Sequence, residues 1–162
     1  MSFPSITHSL SDDKISSMIS TLDNVNTCVF TKDELKFLCI HFQSLSNGND
    51  SINRECFQKA LILKSSALID NIYRVFDEDK DDCISFKEYI ANLILMSPMA
   101  SYDEKLKFSF NIYDKDGDGY ISHDDLKTVI TAIMTENGLV ATDNNIQELL
   151  GNTNTNTNTN TN

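Results

Sequence analysis

Two acidic segments of twelve residues, each enclosed by helical apolar patterns, constrain this chain more than any other feature of its sequence. DEDKDDCISFKE follows ALIDNIYRVF and precedes YIANLILM, while DKDGDGYISHDD follows EKLKFSFNIY and precedes LKTVITAIM. The core positions that repeat are Tyr73 with Phe110, Phe76 with Tyr113, and Ile84 with Ile121. A helix–loop–helix unit that recurs with both its acidic and its apolar positions is a strong signal of an internal repeat.

Both segments space their oxygens as a hard divalent cation requires, with acids at positions 1, 3, 5 and 12, a backbone carbonyl at 7 and a water-mediated ligand at 9. For loop 2 (residues 77–88), the predicted ligands are Asp77, Asp79, Asp81, the Cys83 carbonyl, Ser85 and Glu88. For loop 3 (residues 114–125), they are Asp114, Asp116, Asp118, the Tyr120 carbonyl, Ser122 and Asp125. An acidic turn that only caps a helix is the alternative, but two loops with the complete spacing favour two calcium sites.

Each loop departs from the ideal pattern at one position. Asp82 occupies position 6 of loop 2, where a sharp turn favours Gly, and we expect weakened but retained calcium binding there. Asp125 ends loop 3 where a longer Glu normally grips the ion with two oxygens. The shorter side chain favours a six-ligand site, so we expect magnesium to compete with calcium at loop 3.

A third, degenerate copy precedes these two. Placing Ile52 at position 8 defines loop 1 as LSNGNDSINREC, Leu45–Cys56, which has no side-chain oxygen at position 1 and no carboxylate at position 12. We expect loop 1 to hold no metal. A fourth loop is predicted to be absent, because NIQELL resembles the start of an entering helix but is followed by the polar repeat GNTNTNTNTNTN, expected to be disordered.

The predicted organisation has four parts. Residues 1–27 form an N-terminal segment with a short helix, on which Ile15, Met18, Ile19 and Leu22 share one face. Residues 28–97 form a pair of helix–loop–helix units, residues 98–150 form the third unit and the start of an incomplete fourth, and residues 151–162 form the tail. Capping boxes are predicted at Thr31–Glu34 and Ser101–Glu104, on either side of the helix break at Pro98.

Composition excludes several classes of function. A formal net charge of −11 argues against nucleic acid as a partner. The cysteines, Cys28, Cys39, Cys56 and Cys83, lack zinc spacing, and without a signal peptide they are expected to be reduced in a cytoplasmic protein. Ser2 stands where N-myristoylation needs Gly, so no myristoyl anchor is expected. The sequence has no catalytic motif, which favours a binding protein over an enzyme.

The stretches ISFKEYI and DEKLKFSFNIYDKDGDGYIS resemble EF-hand proteins of the calcineurin B and neuronal calcium sensor type, and the degenerate loop 1 resembles that of neuronal calcium sensors and calaxin. The resemblance implies an all-α fold of paired EF-hands joined by short β-contacts at position 8, here Ile52 with Ile84. It also implies a groove for a target protein helix, such as one from a phosphatase catalytic subunit. The groove candidates, for which ordinary core packing is the alternative, are Phe57, Leu61, Leu93, Met96, Met99 and Met134.

Three functions are compatible with these features. They are a calcium sensor or regulatory subunit, a passive calcium and magnesium buffer, and a divergent structural EF-hand protein. The apolar exit helices favour the sensor. Without a fourth loop, Ile121 has no partner in the chain, so a homodimer that pairs Ile121 with its copy is a further expectation.

Overall fold

The computed structural model describes residues 10–23, 25–61 and 63–151. The described elements, in chain order, are α1 (Asp12–Ser20), a 3₁₀ turn (Thr27–Val29), α2 (Lys32–Leu45), β1 (Ser51–Asn53), α3 (Arg54–Ala60), α4 (Ser66–Phe76), β2 (Cys83–Ser85), α5 (Phe86–Met96), α6 (Tyr102–Tyr113), α7 (His123–Glu136) and α8 (Asp143–Gly151). The predicted all-α fold with short β-contacts is confirmed. No helix in these described ranges is long and apolar enough to span a membrane.

Helix boundaries follow the local capping chemistry. Thr31 accepts a hydrogen bond from the Glu34 amide, and the Glu34 carboxylate accepts one from the Thr31 amide, as in a capping box. Ser101 and Glu104 make the same reciprocal contacts before α6. Helix α5 ends at Met96, two residues before Pro98. The predicted helix starts and the predicted break are therefore confirmed.

The described residues form two compact units. Unit 1 comprises those in Met1–Ile62 and Tyr73–Leu106, and unit 2 comprises those in Leu63–Ile72 and Lys107–Asn162. Helices α4 and α6 contribute residues to both units.

The centre of unit 1 is the antiparallel pair β1–β2, in which Ile52 lies opposite Ile84. Both side chains are fully buried. This pairing confirms the β-contact implied by the resemblance and places Ile52 at position 8 of loop 1. Unit 1 also contains packed aromatic rings, with the Phe57 ring 5.4 Å from those of both Tyr73 and Phe76. Phe57 therefore belongs to the core, the alternative already considered for the groove candidates.

Helix α1 covers one side of unit 1. Ile15, Met18 and Leu22 are buried, as the apolar stripe predicts, while Ile19 is only half-buried. The Lys14 ammonium lies 2.5 Å from the Asp50 carboxylate of loop 1. The predicted N-terminal helix is thus confirmed and is tied to the first helix–loop–helix unit.

Unit 2 buries a smaller apolar set, which consists of Ile69, Val129, Ala132, Ile146 and Leu150. Helix α8, which contains NIQELL, contributes the last two residues, so the predicted helix exists there. The Glu136 carboxylate at the end of α7 accepts hydrogen bonds from the amides of Lys64 and Ser65, both at 2.7 Å. These bonds satisfy backbone donors at the start of α4 that have no partner within the helix.

Candidate metal centre

Loop 2 gathers its first three acids around one point. One oxygen each from Asp77, Asp79 and Asp81 lie within 4.8 Å of one another. Asp77 is buried and anchors the turn, because its carboxylate accepts the amides of Asp81 at 3.2 Å and Asp82 at 3.1 Å. The hydrogen bonds orient the carboxylates and leave further lone pairs for a cation.

Loop 3 repeats this arrangement. Oxygens of Asp114, Asp116 and Asp118 lie within 4.8 Å of one another. The buried Asp114 accepts the amides of Gly117 at 2.8 Å, Asp118 at 3.2 Å and Gly119 at 3.0 Å. Three converging carboxylates form an all-oxygen donor set, and this chemistry fits a hard divalent cation such as calcium.

The acids at position 12 of both loops accept the amides at positions 2 and 9, despite their different lengths. Glu88 accepts the Glu78 amide at 2.8 Å with one oxygen and the Ser85 amide at 2.9 Å with the other. Asp125 accepts the Lys115 amide at 3.1 Å. Its second oxygen accepts the Ser122 amide at 2.8 Å. Asp125 therefore reaches the amides at positions 2 and 9 as Glu88 does, although it is one methylene shorter. Among the described hydrogen bonds, only Glu88 also accepts the amide at position 3, from Asp79 at 3.3 Å.

Position 9 has a role that the ligand pattern did not predict. The Ser85 hydroxyl donates to Glu88 at 2.8 Å, and the Ser122 hydroxyl donates to Asp125 at 2.6 Å. Each serine also caps its exit helix, so positions 9 and 12 form a capping box in both loops. The sequence signal was available, because Ser is followed three residues later by an acid in each loop. Both serines remain predicted water-mediated ligands in addition to this role.

Hydrogen bonds lower the pKa of the acids at position 12 of both loops. Burial works to raise the pKa of Glu88, but hydrogen bonds from Ser85, Asp79 and Glu78 outweigh it, and the pKa lies below the usual value. The Ser122 hydroxyl and amide lower the pKa of Asp125. The pKa of Asp79 is raised by desolvation and by the neighbouring charges of Glu88, Asp81 and Asp77, against the hydrogen bond from the Asp81 amide. A bound cation would reduce the repulsion between these closely spaced negative charges.

The backbone of both loops turns through the left-handed region at positions 4 and 6. Loop 3 places Gly117 (φ +73°) and Gly119 (φ +87°) there. Loop 2 places Lys80 (φ +61°) and Asp82 (φ +63°) at the same positions. The sequence pattern predicted the need for a left-handed conformation at Asp82 but not at Lys80. Aligning Lys80 with Gly117 would have revealed it. Left-handed backbone disfavours residues with a Cβ, so loop 2 is the more strained of the two.

Loop 1 contains different contacts at the positions where ligands converge in the other loops. The Asn47 amide group lies 3.2 Å from the Cys56 sulfur, linking positions 3 and 12. The Ser46 hydroxyl donates to the Asn49 carbonyl at 2.7 Å. Loop 1 is closed by neutral groups, which are poor ligands for a hard dication.

The remaining predictions concern the cysteines and the C-terminal residues. The described free cysteines are Cys28, Cys39, Cys56 and Cys83. Burial raises the pKa of the Cys39 thiol to about 11, so this thiol stays protonated and packs as a small apolar group. The predicted lack of a fourth loop and the predicted disordered tail fall on residues 152–162, outside the described residues.

Comparisons with known proteins agree with this geometry. A family model described as an EF-hand domain pair matches residues 103–159, a range that includes loop 3. The chain is 34% identical over 125 residues to the calcineurin B of Naegleria gruberi, covering 76% of this chain and 69% of the relative. It is also 34% identical over 125 residues to the type 2 calcineurin B of Homo sapiens, covering 72% of that protein. The same identity over the same length relates it to the calcineurin B of Candida glabrata, with 70% of that protein covered. All three relatives are named as subunits of calcineurin.

Proposed function

The chain belongs to the calcineurin B family of EF-hand calcium-binding proteins, and we propose that it is a calcium-dependent regulatory subunit with two metal sites, loops 2 and 3. The observation that carries the proposal is the pair of matching carboxylate clusters, each closed by a buried acid at position 12. The ligands are those assigned in each loop, with magnesium competing at loop 3 because Asp125 is short.

We further propose that the partner is a helix of a phosphatase catalytic subunit in the cytoplasm. This proposal draws on the relatives' identity as subunits and on the exposed methionines of unit 1. Met96 is 61% exposed and Met99 is 76% exposed, although both side chains are apolar. Met99 also lines a pocket of about 210 Å³, whose other lining residues are Asn26, Cys28, Val29, Ile94, Ala100 and Glu104. A flexible methionine at the edge of this mixed pocket can accommodate a side chain of a docked helix.

The experiment combines metal titration with partner capture. Calorimetry with calcium is expected to show two binding events, and an apolar-surface dye should brighten when calcium is added, as in a sensor. Capture of a purified phosphatase catalytic subunit should need calcium and fail in chelator. Two binding events without dye response or capture would identify a passive buffer. Absence of calcium binding would leave only a structural EF-hand role.

Self-association through loop 3 is a separate proposal. Among the described residues, Tyr120 and Ile121 belong to no strand, and Tyr120 is 75% exposed. An antiparallel contact between two copies would place Ile121 opposite its equivalent, as Ile52 lies opposite Ile84 in unit 1. Sedimentation at high concentration should then show a dimer that dilution dissociates, and a monomer throughout would exclude it.

A further inference from the structure

Tyr73 in helix α4 contacts the backbone of loop 2 through its hydroxyl. The side chain is buried, and its oxygen lies 2.7 Å from the Asp82 carbonyl, to which it donates. The same hydroxyl lies 3.4 Å from the Ile52 carbonyl of β1. Burial, followed by the nearby charges of Cys83 and the loop acids, raises the pKa of Tyr73 to about 12, so the phenol keeps its proton at neutral pH.

The residue that accepts this hydrogen bond has a backbone conformation that is unfavourable for a residue with a Cβ. Asp82 has a φ of +63° at position 6, where glycine would be free of strain. Its amide is already held by Asp77 at 3.1 Å. The amide of Asp82 therefore donates to Asp77 and its carbonyl accepts from Tyr73, and these two hydrogen bonds stabilise its left-handed conformation.

Loop 3 provides an internal comparison, because it has neither a tyrosine hydroxyl at the equivalent helix position nor a residue with a Cβ at position 6. Phe110 occupies the position equivalent to Tyr73, four residues before the first acid, and it has no hydroxyl. Position 6 of loop 3 is Gly119, which adopts φ +87° without a Cβ penalty. Within this chain, the tyrosine therefore occurs with the strained aspartate, and the phenylalanine occurs with the glycine.

We propose that Tyr73 is a positioning residue for the metal site of loop 2, and that its hydroxyl substitutes for the missing glycine by holding the Asp82 carbonyl. A loop that already has the turn needed to converge Asp77, Asp79 and Asp81 loses less free energy when it binds a cation. The inference rests on the proposed binding of calcium by loop 2.

The experiment is a double-mutant cycle on calcium affinity, measured with loop 3 silenced by Asp116→Asn and Asp118→Asn. Tyr73→Phe keeps the ring that packs on Phe57 and removes only the hydroxyl. Loss of one such hydrogen bond is expected to weaken calcium binding by about three- to tenfold. In an Asp82→Gly background, where the turn needs no support, the same change should alter affinity by less than about twofold.

Tyr89→Phe is the matched control. Tyr89 is also buried in unit 1, and its hydroxyl oxygen lies 2.7 Å from His41 Nδ1 rather than against loop 2. This variant should lower thermal stability to a degree similar to Tyr73→Phe while leaving calcium affinity unchanged. Circular dichroism confirms that each variant is folded.

The outcomes separate this inference from the proposed function. If the loop-3-silenced protein binds no calcium, both are wrong. If it binds calcium but Tyr73→Phe has no effect, or has the same effect with Asp82 and with Gly at this position, only the positioning role is wrong. An equal loss of affinity in Tyr89→Phe would likewise assign the effect to general packing.

Discussion

Replacing Gly119 with alanine isolates the backbone requirement of the metal loops. Gly119 has a φ of +87°, and a Cβ added there would meet no atom within 4 Å. Steric contact therefore contributes nothing, and the cost is that of left-handed backbone in an L-residue, about 1–2 kcal/mol. Both states compared in a binding measurement are folded, so the reduced freedom of alanine in the unfolded chain does not offset this cost. If the metal imposes the turn, affinity at loop 3 should fall by about fivefold or more.

The assay is calcium calorimetry with loop 2 silenced by Asp79→Asn and Asp81→Asn. Gly138→Ala is the matched control, because Gly138 has a φ of +71° and equally open surroundings but follows helix α7 outside any metal loop. It should lower the melting temperature and leave calcium affinity unchanged. An unchanged affinity in a folded Gly119→Ala protein would refute the reasoning, as would an equal loss in Gly138→Ala.

Three further predictions concern the closing acids and the strained positions. Glu88→Gln should weaken calcium binding at loop 2 by about tenfold or more, since it removes the charge of the position-12 acid, and an unchanged titration would contradict this. Asp125→Glu should raise calcium affinity at loop 3 by about tenfold and favour calcium over magnesium, as measured by competitive titration, because the longer acid can supply a second oxygen. If the ratio of calcium to magnesium affinity is the same in both proteins, Asp125 does not retune the site. Lys80→Gly should strengthen calcium binding at loop 2 in the same titration, because it relieves left-handed strain at position 4. The control is Lys115→Gly, at position 2 of loop 3, which should show no comparable gain in the calcium affinity of loop 3.

Much of the fold could be predicted because its determinants are local. The Thr31–Glu34 capping box and the Ile15–Met18 stripe are contained in short segments, and each produced the expected helix. The pairing of Ile52 with Ile84 joins residues far apart in sequence, but the resemblance to EF-hand proteins implied it. The grouping of residues 63–72 with unit 2 could not be predicted, because it depends on packing between distant parts of the chain.

In the candidate sites, too, the local features were predictable and the long-range contacts were not. The clustering of the first three acids of loops 2 and 3 was predictable, because spacing along a short loop determines which oxygens can converge. The hydroxyl of Tyr73 was not, since its contact with the Asp82 carbonyl depends on how helix α4 is placed against the loop. The left-handed backbone of Lys80 was also missed, because lysine itself carries no signal for that conformation and only Gly117 in the repeat marks the position.

The hydrogen bonds from the amides of Lys64 and Ser65 to Glu136 bear on how proteins of this kind can be divided or recombined. The acceptor lies 72 residues beyond Lys64 in the chain. A fragment that ends at Pro98 keeps helix α4 but loses this acceptor, so the first turn of α4 would fray and become open to limited proteolysis. A chimera that takes its C-terminal half from a relative inherits the same problem unless that relative has an acid in the corresponding place. Halves exchanged at the proline linker therefore need an acid at position 136 that can accept the amides of residues 64 and 65.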